Sequence, residues 1–379
     1  MTRARSRSKR SRTVHDVSAC LEKIAPPGLG QSWDNVGLQV GDGAAVVRRV
    51  LLCIDLTPAV LREAARRKAG LVIAYHPPIF KPVSRILAGG QGMESVVFEC
   101  IRRQIALYST HTALDAADGG TNDVLAALCG VKDAAPIEWV DEPGVSEVKL
   151  VVFVPQASLE RVADAIFEAG AGHIGDYSRC SYRLSGQGTF FGGDSTNPTI
   201  GERGRMEFVD EVRLESVVDA KKLPAVIRAM IEGHPYEEPA YDIYPLTPKP
   251  VRGIGRVGAL ARSTTLGKLA RKLKRATAAC CVQIVGPAER VVERAVVCAG
   301  AAGSIPFQVP LGERDVIVTG EIRHHDALMI ERCGCCAVAL GHWASERPVL
   351  KPLAERLGGM VSGVDFVLSE ADREPFGPV

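Results

Sequence analysis

From residue 48 the apolar residues fall into short unbroken runs separated by stretches with helical spacing. "RVLLCIDL" (49–56) reads as a strand, "TPAVLREAARRKAG" (57–70) as an amphipathic helix with Thr57 as N-cap and Pro58 at its first position, and "LVIAY" (71–75) as a second strand. A helix over "MESVVFECIRRQ" (93–104), a strand over "IALYST" (105–110) and a helix over "TNDVLAALCG" (121–130) follow. The C-terminal third repeats the pattern. "RAVVCAG", "RDVIVTG" and "CAVALG" are strands, 323–332 and "ERPVLKPLAERL" (346–357) are helices, and "GVDFVLS" (363–369) is a closing strand. Strand and helix in alternation predict an α/β body with a largely parallel sheet.

The middle of the chain has another rhythm. "VKLVVFVP", "SLERVADAIFEAG", "GTFFGG", "MEFVDEVRLESVV", "AKKLPAVIRAMIEG" and "AYDIYPL" give the order βαββαβ, a ferredoxin-like α+β pattern. Residues 146–248 are therefore expected to form an inserted domain between two α/β lobes, 13–145 and 249–379, that together make one body. A length of 379 residues agrees with more than one domain, since single cores stop growing at roughly 250 to 300 residues.

Composition excludes more than it selects. Hydrophobic residues make up 46% and charged residues 24%, with a net charge of +2, so no strongly charged partner is implied. The exception is "RARSRSKRSR" (3–12), with six Lys or Arg and no acid. Residues 1–12 are read as a disordered basic tail, with nucleic-acid contact as the weaker alternative. No apolar segment is suited to a signal peptide or a membrane span. Many of the eleven cysteines sit inside apolar runs, as Cys53, Cys100 and Cys298 do, which suits reduced thiols and a cytoplasmic location. "CGCC" (Cys333, Cys335, Cys336) lacks a second cysteine pair at zinc-ribbon spacing and is read as core packing.

Two motifs compete as the chemical centre. "GIGRVG" (Gly253, Gly255, Gly258) matches a dinucleotide-binding fingerprint in letters. It follows "PKPVR" rather than a strand and has no acidic residue about 20 positions on, so it is read as a glycine-rich domain junction. The carboxyl ends of the strands, where open α/β sheets place ligands, carry a stronger signal: "LVIAY" leads to His76, "IALYST" to His111, "DVIVTG" to Glu321 and "CAVALG" to His342. Asp115 follows His111 by four residues, Glu346 follows His342 by four, and Glu321 and His325 are also spaced one helical turn apart. Asn122 is placed to cap the helix that begins there. Imidazole with carboxylate at this spacing suits a divalent metal, and no Ser or Cys stands in a nucleophile elbow.

The stretches "SWDNVGLQVGD" (32–42), "YHPPIF" (75–80), "HTALDAADGGTND" (111–123), "TGEIRHHDA" (319–327) and "GHWASER" (341–347) resemble the NIF3 family, also called dinuclear metal centre hexameric proteins or GTP cyclohydrolase 1 type 2 homologs. The insert, with "GHPYEEPAYDIYPL", resembles the PII/CutA1-like domain of the family's longer members. The resemblance implies a homohexamer with two divalent ions per subunit. His76, Asp115, His342 and Glu346 are implied as ligands, Glu346 bridging both ions, and His111 at or near the site. Zinc, manganese and iron fit equally. It also implies metal-dependent hydrolysis of a nucleotide or related phosphorylated small molecule, with GTP cyclohydrolase-type ring opening as the family's named activity; Glu321 and His325 are the chain's candidates for moving protons. The alternative is a non-catalytic regulatory or interaction protein. Tyr75 departs from the family, standing where many members carry the first of two adjacent histidines. Strand geometry continued through the pair would turn its side chain away from that of His76. Trp33, Asp34 and Asn35 either line the cavity or close a turn.

Overall fold

The computed structural model describes residues 11–140, 147–247 and 252–377. The chain falls into two compact units. Met1–Glu142 and Pro250–Val379 form the first, and Pro143–Lys249 form the second.

The first unit contains a five-stranded sheet in the order Gly37–Val40, Ala106–Ser109, Leu71–Ala74, Arg49–Cys53, Asp365–Leu368. Its central pairings are parallel, and Gly37–Val40 runs antiparallel at one edge. Helices cover the sheet, so the strand Leu71–Ala74 is buried at all four positions, which is why its sequence is an unbroken apolar run. Thr57 caps the Pro58–Arg66 helix by accepting from Val60 N, an interaction worth about 1 kcal/mol.

A six-stranded sheet of the same unit has the order Gln283–Val285, Cys336–Ala339, Asp315–Thr319, Val291–Cys298, Arg256–Thr265, Val131–Ala135. Only its two pairings around Asp315–Thr319 are parallel, so the body is mixed rather than largely parallel. The two sheets exchange strands. Asp365–Leu368, expected with the C-terminal lobe, pairs in parallel with Arg49–Cys53, while Val131–Ala135 crosses to pair with Arg256–Thr265. The Leu350–Met360 helix packs against both Asp365–Leu368 and Arg49–Cys53 and returns the chain to the first sheet. A cut between residues 145 and 249 therefore does not separate the two sheets.

The second unit is one antiparallel sheet, ordered Tyr241–Pro245, Glu147–Pro155, Met206–Asp219, Tyr182–Phe191, with the helices Leu159–Glu168 and Leu223–Gly233 between strands in the order βαββαβ. Its own core includes Leu150, Val152, Ile166, Leu214 and Met230.

Residues 1–10 of the basic segment lie outside the described residues. Arg12, assigned to the tail by sequence, belongs to the body: its carbonyl accepts from Val47 N at 2.9 Å and its guanidinium reaches Ser362 O at 3.4 Å. All eleven cysteines are free thiols; of "CGCC", Cys335 and Cys336 are buried core residues, whereas Cys333, read as core, is exposed at the end of the His324–Arg332 helix. No helix among the described residues is long and apolar enough to cross a membrane. "GIGRVG" is backbone packing: a Cβ at Gly253 would lie 2.1 Å from Glu138 O, across a two-stranded pairing of Gly253–Ile254 with Glu138–Trp139.

Candidate metal centre

Strands of both sheets in the first unit end at one place. His76 follows Leu71–Ala74, and its N–H extends the ladder to Ile54 O at 3.0 Å. His111 leaves Ala106–Ser109 with a strained φ of 23° and opens the His111–Ala116 helix, which carries Asp115 one turn on. His342 and Glu346 occupy the first and last positions of the His342–Glu346 helix after Cys336–Ala339, so they share a face.

Ligand atoms of His76, His342 and Glu346 lie within 4.8 Å of one another. His342 Nε2 is 3.1 Å from Glu346 Oε1, and His76 Nε2 is 3.4 Å from Glu346 Oε2. The His111 ring centroid lies 5.4 Å from that of His76, which is 5.3 Å from that of His342. Each imidazole is held on its other nitrogen by a carboxylate: Nδ1 of His76 by Asp55 at 2.9 Å, of His111 by Asp34 at 2.8 Å and of His342 by Glu321 at 3.0 Å. With the Nδ1 proton engaged in this way, the Nε2 lone pair is the one offered to the centre.

Tyr75 turns toward the site rather than away. The strand ends at Ala74, so alternation stops, and the buried Tyr75 hydroxyl donates to Asp115 Oδ1 at 2.5 Å. Burial and the nearby Asp115 and Glu346 charges push its pKa well above the ordinary value, so it is a neutral donor rather than a phenolate ligand. Burial raises Asp115 to about 6, the Tyr75 hydrogen bond pulling it down and the Glu346 charge pushing it up. His76 is driven up to about 10, because Asp55 and Glu346 outweigh a burial effect in the opposite direction. The hydrogen bond to Glu346 lifts His342 to about 9. Glu346 is buried, which by itself would raise its pKa, yet His342 and His76 hold it below the usual carboxylate value. The carboxylates around the imidazoles thus make a centre that calls for positive charge.

Two further observations fit a cation. Glu346 Oε2 is buried with no hydrogen bond, its ion-pair neighbour His76 Nε2 standing off at 3.4 Å, so the carboxylate keeps a lone pair for a cation. Space beside it is kept by Gly300, at φ +66°, where a Cβ would sit 2.4 Å from Glu346 Oε1 and 3.3 Å from His342 Nε2. Two imidazoles and a carboxylate can hold a borderline divalent ion.

Other candidates are placed differently. Glu321 precedes the His324–Arg332 helix instead of lying on it, so it makes no one-turn pair with His325 and meets His342. His325 is exposed and packs edge-on against His324, with a centroid distance of 5.5 Å. Asn122 does not cap its helix, whose N-cap is Gly120. Its amide donates to Asp115 O at 3.0 Å and accepts from Ala299 N at 2.9 Å, joining the two halves of the site. The Asp34 side chain is fully buried and accepts from Thr112 as well as His111, so this residue of "SWDN" meets a histidine of the site, while Asn35 donates to Ile79 O. Asp55 and Gly300 escaped the sequence reading. Asp55 was accessible to it, since "LLCIDL" is another strand exit, whereas nothing near Gly300 in sequence pointed to Glu346.

The family model described as "Duf34/NIF3 (NGG1p interacting factor 3)" matches residues 12–375. A Mycobacterium tuberculosis protein named "GTP cyclohydrolase 1 type 2 homolog" is 40% identical over 350 residues, covering 90% of each chain. A Bacillus subtilis protein of the same name is 36% identical over 364 residues, covering 94% of this chain and 96% of its own. Among solved structures, a Bacillus cereus protein related to NIF3 superposes with a TM-score of 0.72 at 34% identity, covering 98% of this chain and 100% of its own. With sequence match and fold agreeing along nearly the whole length, the chain belongs to the Duf34/NIF3 family.

Proposed function

We propose that the chain is a divalent-metal hydrolase of a nucleotide or a related phosphorylated small molecule. The observation that carries this reading is the buried Glu346 carboxylate set beside the Nε2 atoms of two histidines, its Oε2 left with no hydrogen bond and only the long 3.4 Å contact to His76. His76, His342 and Glu346 would hold one ion, and Asp115 and His111 would help to hold a second, with zinc, manganese or iron as the metal. Such ions supply Lewis acidity, polarising a phosphoryl or carbonyl oxygen and making hydroxide available near neutral pH. The protein's own part is orientation. Asp55, Asp34 and Glu321 keep the three imidazoles in one tautomer, and Tyr75 holds a proton against Asp115. Glu321, exposed and bonded to His342, would pass protons between site and solvent, with the exposed His325 as the other candidate.

The name borne by the mycobacterial and Bacillus relatives makes GTP the first substrate to assay. We further assign the second unit to the PII/CutA1-like class on its βαββαβ order, the assembly to a homohexamer and the location to the cytoplasm, where its free thiols would stay reduced.

Elemental analysis of the purified chain beside His76→Ala and Glu346→Ala tests the site, with both variants expected to lose metal. Equal metal in all three would remove the assignment. Turnover of GTP or a phosphoester should fall by about 100-fold or more in Glu346→Gln. If metal raises the melting temperature but no turnover depends on Glu346, the chain is a metal-binding regulator and not a hydrolase.

A further inference from the structure

The loop ahead of the first sheet is pinned at several points, yet it leaves its largest side chain in solvent. Asp34, with a fully buried side chain, accepts from Thr112 N at 3.1 Å and from the Thr112 hydroxyl at 2.5 Å, and meets His111 Nδ1 at 2.8 Å. Gln31 N donates to Thr112 Oγ1 at 2.9 Å, and the Asn35 amide donates to Ile79 O at 2.5 Å. Between these anchors Trp33 is 58% exposed. Its neighbours are Phe80, itself 46% exposed, at a centroid distance of 6.0 Å and an interplanar angle of 67°, and His111 at 5.9 Å and 75°.

Phe80 is held in the same way, because Ile79 N donates to Gln39 Oε1 at 2.9 Å while Ile79 O accepts from Asn35. Rings then run on without a gap from Trp33 to His111, His76 and His342. An indole on a slack loop would fold onto the surface. Here it stands on a loop anchored on both sides, 5.9 Å from the His111 ring, with a second aromatic set obliquely beside it.

We propose that Trp33, flanked by Phe80, is the specificity-determining residue of this site and stacks on a planar heteroaromatic ring of the substrate while the substrate's polar end lies at the histidine–carboxylate cluster. This rests on the reading of the cluster as a metal site with a small-molecule substrate, and it adds which part of that substrate the protein reads. Stacking on an aromatic side chain tolerates any base, since every base presents a π-face, so selection is for a flat ring rather than for one base.

The test uses the full-length, manganese-loaded chain with guanosine 5′-monophosphate and ribose 5-phosphate as probes, their binding measured by calorimetry. Trp33→Ala and Trp33→Leu should each weaken the nucleotide by about 5- to 100-fold and leave the ring-less phosphate unchanged, while Trp33→Phe retains most of the affinity. Metal content is measured in every variant and should be equal. Adenosine and uridine monophosphates should lose affinity in parallel with guanosine monophosphate.

No nucleotide binding to the wild type, equal weakening of both probes, or full affinity in Trp33→Leu would each overturn the proposal. So would a change of assembly mass by light scattering in Trp33→Ala with nucleotide affinity intact, which would make the indole a contact between copies of the chain. Trp33-dependent nucleotide binding without turnover would leave the stacking role standing and reject hydrolysis.

Discussion

Asp55 acts at one remove from the centre. Its carboxylate accepts a hydrogen bond from Nδ1–H of His76 and so turns Nε2 inward. Removing that charge while keeping the shape, as Asp55→Asn does, is expected to weaken divalent-metal affinity by about 10- to 100-fold with the fold intact, measured by competition with a chromophoric chelator. Unchanged affinity would mean that the ring is oriented by packing alone. Tyr75 shows the limit of reading one residue from its neighbours. Alternation along a strand would send it away from His76, and the end of the strand at Ala74 sends it to Asp115 instead.

Among the elements, the Pro58–Arg66 helix does more than cover the sheet. Its Glu63 is buried and accepts from the Ser369 hydroxyl at 2.6 Å, Ala371 N at 2.9 Å and Glu370 N at 3.1 Å, tying down the chain after the last strand. Burial works to raise the Glu63 pKa, but these donors and Arg67 outweigh it and hold the carboxyl below its ordinary 4.5. A lowered carboxyl stabilises the fold fully above the unfolded-state value and ceases to do so as pH falls through the folded-state value. Glu63→Gln should therefore cost about 1 to 3 kcal/mol at pH 7, and the difference from wild type should shrink below about pH 4. Urea titrations at the two pH values check this; an equal deficit at both would show that shape rather than charge is what the tail requires.

On the scale of the molecule, the exchanged strands tie the two sheets of the first unit to each other's sequence halves. Deleting residues 362–379 removes Asp365–Leu368 from the first sheet and takes away Asp372, which accepts from Ile54 N at 2.8 Å and from the Trp343 indole at 3.0 Å. That truncation should abolish the cooperative thermal transition of the first unit, followed by circular dichroism and fluorescence, rather than shift it by a few degrees. A transition retained with a small shift would show that the two sheets hold together without the exchange.

Local periodicity sufficed for the kind and order of most elements, for the βαββαβ pattern in the middle of the chain, and for the strand exits that bear His76, His111, Glu321 and His342, because each of these is written within a few residues. What lay beyond it were meetings between distant segments. Asn122 reaches Ala299 across 177 positions, Gly300 clears space for Glu346, Asp55 turns a histidine 21 positions away, and the last strand chooses the first sheet. None of these has a spacing to read. Each is settled by which backbones and side chains the packed sheets bring to the same few ångströms, and that is a property of the folded chain alone.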